Sequence, residues 1–518
     1  MIIKTLIRNG EYYDSVKLMT VSKKISEMEG IDNAAVLMGT DLNKDVLKRT
    51  GLLSPEAENA SPDDLIISVR GSNEAVVDKA ISQVDTLLNQ RRDGDEESDY
   101  RPKSFDSALK IMPDMNFCII SVPGRYARRE AMKALQNGLH VLLFSDNVTL
   151  DEEIKLKKYA MENNLLLMGP DCGTAMINNV PLGFANKVRK GNIGIVGAAG
   201  TGMQEVMSLI HKQGAGISQA IGTGGRDLSA EVGGITMLQG LSALKEDDDT
   251  EIIVIISKPP APGIAEKILD YVTNIKKPTV VNFIGGDPER IAKAGAVPAF
   301  TLEEAALKAV SISKGIENRE IDGLISEEEM KKLARQEAIL LNEDQKYIRG
   351  LYSGGTLCYE SMLVLKDFVG DVHSNTPLNK KMKLSDAYKS VEHTCIDLGD
   401  DAFTVGRAHP MIDTALREEM FETEAQNPEV AVILLDIVIG YGTHPNPAEV
   451  FAKKIKKYKD AALQQGRHLI VISSVCGTEE DPQNLLSQQK ILREAGAIVM
   501  PSNAAAARLA GMIVSNKK

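Results

Sequence analysis

Tryptophan is absent from the 518 residues, and aromatic side chains make up only 4% of them. A surface that binds single-stranded nucleic acid by stacking has little to be built from here. Positive charge is also short: 60 Lys and Arg stand against 72 Asp and Glu, a net charge of −12. Phosphate backbones call for basic patches, so nucleic acid is excluded as a main partner. No apolar run approaches the ~20 residues that span a bilayer. The opening MIIKTLIRNGEYYDSVK lacks the basic, apolar and small-residue segments of a signal peptide. A cytoplasmic chain without a membrane partner is expected. The five cysteines, Cys118, Cys172, Cys358, Cys395 and Cys476, are odd in number and form no CxxC pair, which suits neither a disulfide framework nor zinc. The seven histidines make no HxxxH or HExxH pair, and no metal site is expected.

What is present is an ordinary globular composition, 43% hydrophobic and 25% charged, in a chain too long for one core. Residues 1–90 alternate strand patterns (2–7, 34–38, 65–69) with helix patterns (15–28, 41–49, 73–88), as a small α/β domain would. Residues 91–104, RRDGDEESDYRPKS, are charged and aperiodic, the composition of an exposed linker. Residues 105–190 place strands at 117–122, 140–144 and 165–168 and helices at 123–138 and 149–164. Such alternation predicts a parallel sheet, with ligands at the carboxyl ends of its strands. Residues 191–320 and 390–518 look like two copies of one architecture, and a charged helical linker over 321–345 leads into the last domain, 346–518. In the last domain GLYSGGTL (350–357) heads a helix, and strands fall at 395–398, 430–435, 468–473 and 497–500. The fold class is α/β with several parallel-sheet domains.

The stretch GNIGIVGAAGTGMQEV (191–206) reads as strand, glycine loop, helix. Gly197, Ala198, Ala199, Gly200, Thr201 and Gly202 leave backbone N–H groups bare at a helix N-terminus, where the dipole adds partial positive charge. One reading is a phosphate or carboxylate site; the other is a tight turn whose glycines only permit close packing. A second loop, Gly440, Tyr441, Gly442 and Thr443, ends the strand at 430–435. Two such ends facing one pocket would hold a doubly charged phosphate. GTGGRDLSAEVGG (222–234) brings Arg226 and Asp227 to the end of another strand. GDD (399–401) and GRAHPMID (406–413) add Asp400, Arg407 and His409, for which helix capping and a self-bonded turn are the structural alternatives.

MGPDCGT, GNIGIVGAAGTGMQEV and AIGTGGRDLSAEVGG resemble the α subunit of succinyl-CoA synthetase and the NDP-forming acyl-CoA synthetases. The segment at 118–135 is similar to their CoA-binding domain. CIDLGDDAFTVGRAHPMID and LLDIVIGYGTHPNP resemble the carboxyl domain of the β subunit. The whole order is similar to the FdrA family. The resemblance implies a Rossmann-like CoA-binding-type domain at 105–190 and two flavodoxin-like ligase domains at 191–320 and 346–518. It also implies either acyl-CoA ligation or the large subunit of oxamate carbamoyltransferase in allantoin breakdown, acting with two further protein subunits in an oligomer. The departures favour the second. AKAGA carries Lys293 where the synthetases have a phosphohistidine, and Lys258 stands where a glutamate would hold that histidine. An amine holds an anion rather than carrying a phosphoryl group. The first 20 residues lack the family's CoA loop, and no ATP-grasp domain is present. No cofactor is expected, coenzyme A being the one group the family would bring. On this reading the two glycine loops cradle phosphate and Lys258, Lys293, Arg226 and Arg407 clamp anions. His409 and Asp436 orient or handle protons, while Asp227 and Asp400 stand with the substrate. The substrates implied are carbamoyl phosphate with oxamate, or phosphate with oxalurate. A non-catalytic scaffold is a third reading, since fold does not fix function.

Overall fold

The computed structural model describes residues 2–11, 13, 15–89, 102, 104–316, 324–404 and 407–516. Of the linker expected at 91–104, only 102 and 104 lie among them, and 321–323 of the second linker lie outside. The chain divides into two compact units, Met1–Ile111 with Asp401–Ile412, and Met112–Asp400 with Asp413–Lys518. No described helix is long and apolar enough to cross a membrane.

In the first unit, β1 (Ile2–Arg8), α1 (Ser15–Ser26), β2 (Ile31–Met38), α2 (Asp41–Arg49), α3 (Pro55–Asn59), β3 (Leu65–Gly71) and α4 (Glu74–Asn89) are followed by α5 (Phe105–Ile111). The sheet is antiparallel, in the order β1–β3–β2. β3 is central because both its faces are apolar. Leu65, Ile67 and Val69 pack on Leu18, Val21 and Ile25 of α1 and on Val77, Ala80, Val84 and Leu88 of α4, residues that recur at helical spacing. Ile66 turns to Leu47, Leu52, Ala57 and Ala60 on the other side.

The second unit opens with β4 (Phe117–Ile120), α6 (Gly124–Gln136), β5 (His140–Leu143), α7 (Leu150–Glu162) and β6 (Leu167–Met168), a parallel β4–β5–β6 sheet. Thr149 and Glu152 form a capping box that starts α7. A hairpin of β7 (Thr174–Ile177) and β8 (Val180–Gly183) leads on.

Two copies of one parallel sheet follow. The first comprises β9 (Lys190–Gly197), α8 (Gly200–Lys212), β10 (Ile217–Gly222), α9 (Ile235–Glu246), β11 (Ile252–Ser257), α10 (Pro262–Val272), β12 (Thr279–Phe283), α11 (Pro288–Lys293), β13 (Val297–Pro298) and α12 (Leu302–Ser313). After α13 (Glu327–Ala338) the second begins with β14 (Tyr347–Tyr352), α14 (Gly355–Val369) and β15 (Thr394–Asp397). α15 (Asp401–Thr404) and α16 (Ala415–Gln426) lead to β16 (Val430–Val438), α17 (Pro447–Gln464), β17 (Ile470–Cys476), α18 (Leu485–Glu494), β18 (Ile498–Met500) and α19 (Asn503–Ser515). The strand orders match: β13–β12–β11–β9–β10, extended by β7–β8, and β18–β17–β16–β14–β15. This is the doubly wound order whose switch point lies at the first strand. β11 and β16 are buried on both faces, as their unbroken apolar runs require.

The matching orders correct one pairing. β14 and its loop, not the strand before Gly440, are the counterpart of β9 and Gly197–Gly202. Residues 350–352, expected as part of a helix head, finish a strand. The copies also interlock. Glu205 of α8 accepts from the Asn503 amide that opens α19 (3.1 Å), and Glu360 of α14 accepts from the Leu302 amide that opens α12 (2.7 Å). Each copy's first helix thus puts a carboxyl at the positive end of the other copy's last helix.

Candidate functional site

The two first helices start against one another. A Cβ on Gly202 would lie 2.8 Å from Thr356 Cγ2, and one on Gly354 would lie 2.9 Å from Thr201. Only glycine admits that approach. The amides of Gly200, Thr201 and Gly202 open α8, those of Gly355, Thr356 and Leu357 open α14, and none has an acceptor within its own helix. The two ends differ in what lies before them. Asp436 of β16 accepts from the amides of Ser353 and Gly354, both at 2.8 Å, just ahead of α14. Among the described residues the loop before α8 meets no such carboxylate: Ala198 donates to the Ile256 carbonyl. The end of α8 is therefore the better anion site.

A cavity of ≈ 470 Å³ is lined by Lys258, Tyr359, Asn375, Thr376, Pro377, Lys380 and Lys383. Lys258 follows β11, and its Nζ stands 5.7 Å from the centre of the Tyr359 ring on α14, within cation–π range. Asp397, the last residue of β15, is buried beneath. A Cβ on Gly355 would fall 2.4 Å from its carboxylate, so glycine is what lets this acid reach α14. Burial pushes the Asp397 carboxyl up to about 6, against the pull of Lys258, with Asp400 and Asp436 adding to the rise. Its backbone is tied to the cavity wall by Asn375, whose Nδ2 donates to the Asp397 carbonyl (2.9 Å) and whose Oδ1 accepts from the Asp397 amide (3.0 Å).

The residues expected from sequence are distributed unevenly. Lys258 lines the cavity. Lys293 is exposed at the end of α11, away from the cavity lining. Asp436 is fully buried and already engaged: besides the two amides, it accepts from Ser353 Oγ (3.1 Å) and Arg417 Nη2 (2.6 Å). That is a structural anion holding the α14 loop, and a proton-handling role loses its room. Asp227 is equally spent, on Lys157 (2.6 Å) and on the Thr236 and Met237 amides of α9. Arg226 donates to the Val148 carbonyl (2.6 Å) and pairs with Glu153 (3.0 Å). Both residues bind the 222–234 loop to α7. The Gly440–Thr443 loop closes on its own surroundings: Gly440 N donates to Gln483, Tyr441 N to the Ala185 carbonyl, and Thr443 Oγ1 to the Gly440 carbonyl. It is not set against Gly197–Gly202 as expected; Ser353–Thr356 takes that place. Asp400 is half-buried at the end of β15. Arg407 and His409 belong to the first unit. His409 Nδ1 accepts from the Met411 amide (3.2 Å), the self-bonded turn weighed as its alternative, and desolvation pushes this imidazole down to about 4.

Sequence reasoning missed Asp397, Tyr359, Asn375, Lys380 and Lys383. The signal for Asp397 was its place at the end of a strand, two residues before the GDD stretch that drew attention to Asp400. Lys157, fully buried between Glu153 and Asp227, was hidden in the charged helix 149–164.

Comparison with known proteins gives three family matches: "CoA-ligase" over residues 351–513, "CoA binding domain" over 188–285, and "AllF, heavy metal-associated domain" over 1–103. The CoA-binding match thus falls on the first sheet copy, whereas the sequence resemblance put that domain at 105–190. Residues 1–103 contain no cysteine and no histidine, so the thiolate and imidazole donors of a heavy-metal site are missing there. The chain is 44% identical over 504 residues to the "Uncharacterized protein YahF" of Escherichia coli (strain K12), covering 97% of each. It is 28% identical over 187 residues to the "Succinate--CoA ligase [ADP-forming] subunit alpha" of Staphylococcus aureus (strain Mu50 / ATCC 700699), covering 35% of this chain and 60% of that subunit. Among solved structures, the apo "dinucleotide forming Acetyl-coenzyme A synthetase 1" of Ca. Korarchaeum cryptofilum is similar at TM-score 0.32 and 16% identity, over 78% of this chain and 84% of that one.

Proposed function

The chain belongs to the family of Escherichia coli YahF, with CoA-ligase-like and CoA-binding-like domains, and from that membership we propose that it transfers a carbamoyl group between phosphate and oxamate, together with two further protein subunits. The observation that carries this reading is the pairing of an open helix end at Gly200–Gly202 with a lysine-lined cavity that no histidine lines. Such a site can hold and neutralise an acyl phosphate without taking up its phosphoryl group. The AllF-like match over residues 1–103 supports the same reading.

In the proposed reaction the phosphate of carbamoyl phosphate rests on the opening amides of α8, with the Lys258 ammonium beside it. The oxamate amide nitrogen attacks the carbamoyl carbon and gives up its proton to Asp397, whose raised pKa lies near working pH. The new C–N bond forms, the carbon–oxygen bond to phosphate breaks, and the electron pair leaves with phosphate. Oxalurate remains. Positioning and fixed dipoles supply most of the acceleration in such transfers, and a placed base adds about 10²–10⁴-fold. Lys258→Ala in the reconstituted complex should cut oxalurate formation from carbamoyl phosphate and oxamate by roughly 100-fold or more. An unchanged rate removes Lys258 from the site.

A second reading, acyl-CoA ligation, is favoured by the CoA-ligase and CoA-binding matches and by the succinate–CoA ligase relatives. There the amides of α8 and Lys258 would hold phosphates of coenzyme A, whose thiol would be the acyl acceptor.

A further inference from the structure

The two sheet copies differ at one connection. In the first copy residues 213–216 carry the chain from α8 to β10, whereas in the second residues 370–393 lie between α14 and β15. The fold closes with the short link, so the long one has another use. It is also firmly built. Asn379 is held by Asp371 (2.6 Å) and caps the turn at Lys380–Met382. Ser374 donates its amide to the Met382 carbonyl (3.1 Å) and accepts from the Leu384 amide (3.0 Å). His373 extends β15 by accepting from the Cys395 amide (2.9 Å), and Asn375 is bonded twice to the backbone of Asp397. This frame presents Lys380 and Lys383 to the cavity, opposite Lys258.

Of the other lysines around this connection, Lys366 pairs with Asp371 and Lys389 with Asp386, and Lys381 does not line the cavity. Among the described residues, Lys258, Lys380 and Lys383 carry no ion pair with an acid. Three ammonium groups from two distant segments, on a cavity with one aromatic wall and the polar side chains of Asn375 and Thr376, are a receptor for a small organic anion.

We propose that the 370–393 connection is the specificity element of the site, and that Lys380 and Lys383 recognise the carboxylate of the acyl acceptor, a small organic acid, while Lys258 serves the reacting end. The identification of that acid as oxamate rests on the carbamoyl-transfer reading; the carboxylate site does not.

Calorimetric titration of the full chain with oxamate, its neutral counterpart oxamide, and succinate tests this. Oxamate should bind, oxamide should not, and Lys380→Gln/Lys383→Gln should weaken oxamate binding by roughly tenfold or more. Lys380→Arg/Lys383→Arg should retain binding. Both lysines are exposed, so the thermal unfolding midpoint should not move; the single Gln variants serve if the double variant fails to fold. If succinate binds through these lysines and oxamate does not, the carboxylate site stands and the carbamoyl reading falls. If none of the acids binds, if oxamide binds as well as oxamate, or if the Gln variants bind as the parent does, the proposal is overturned.

Discussion

Asp397 shows how one residue can be set by its neighbours. Burial under α14 and the acids Asp400 and Asp436 raise the pKa of its carboxyl, while the nearby Lys258 and the Gly399 amide lower it. Burial prevails, so the folded pKa lies above the usual 3.8, at about 6. The sign of the linkage follows. A carboxyl raised on folding stabilises the protein most when protonated, and that advantage fades as pH rises from about 4 through 6. Above that window the buried charge costs about 3 kcal/mol. Asp397→Asn should therefore be more stable than the parent at pH 8, with the difference vanishing near pH 4. Thermal unfolding at both pH values checks this. If Asp397 takes the amide proton, the same substitution also removes the limb of the rate–pH profile near 6. A variant that gains stability but keeps that limb leaves Asp397 a structural acid. Lys258 was legible in the sequence because it stands where the synthetases it resembles carry a glutamate. Asp397 was not, because nothing in a run of residues reveals which of three nearby aspartates is buried against a helix start.

At the scale of elements, the site depends on two helices that meet through glycine. Gly202→Ala places a methyl 2.8 Å from Thr356 Cγ2 and 3.3 Å from both Ala199 Cβ and Ile256 Cγ2. The expected loss is about 1–3 kcal/mol. Thr356→Ser removes the nearest of those atoms, so the double variant should recover part of the loss in denaturant titrations; strict additivity would show that the helix ends do not touch. The glycine loop before α8 was plain in the sequence. Its partner was not, because β14 hides its strand character. Arg349 and Gly350 interrupt the apolar run, and the buried arginine is held by its pairing with Glu424 (2.8 Å) and by the Tyr347 ring, 5.3 Å from its guanidinium. With β14 unseen, the glycines at Gly440 and Gly442 took its place in the expected pairing. The same strands at 430–435 and 468–473 were readable because parallel strands buried on both faces are uninterrupted Val, Ile and Leu.

Over the whole molecule, two copies of one doubly wound sheet are locked by reciprocal carboxyl caps, Glu205 on α19 and Glu360 on α12. Burial pushes Glu360 up to about 7 and raises Glu205 as well, the cost of placing acids at that seam. The repeat is symmetric in strand order and asymmetric in chemistry. One first helix has a carboxylate ahead of it and the other has an open end; one connection is minimal and the other carries lysines to a cavity. The repeat was visible in the sequence, and its asymmetry, which needs the register of every strand, was not. The proposed function rests on that asymmetry, an open helix end and unpaired lysines suited to binding and neutralising an acyl phosphate rather than passing its phosphoryl group to a histidine. The most direct test is to supply oxalurate and inorganic phosphate to the chain with the two further subunits proposed for it and measure carbamoyl phosphate. The account predicts phosphate-dependent cleavage of oxalurate with no phosphorylated protein; thioester formation dependent on ATP and coenzyme A, through a phosphorylated protein intermediate, would contradict it.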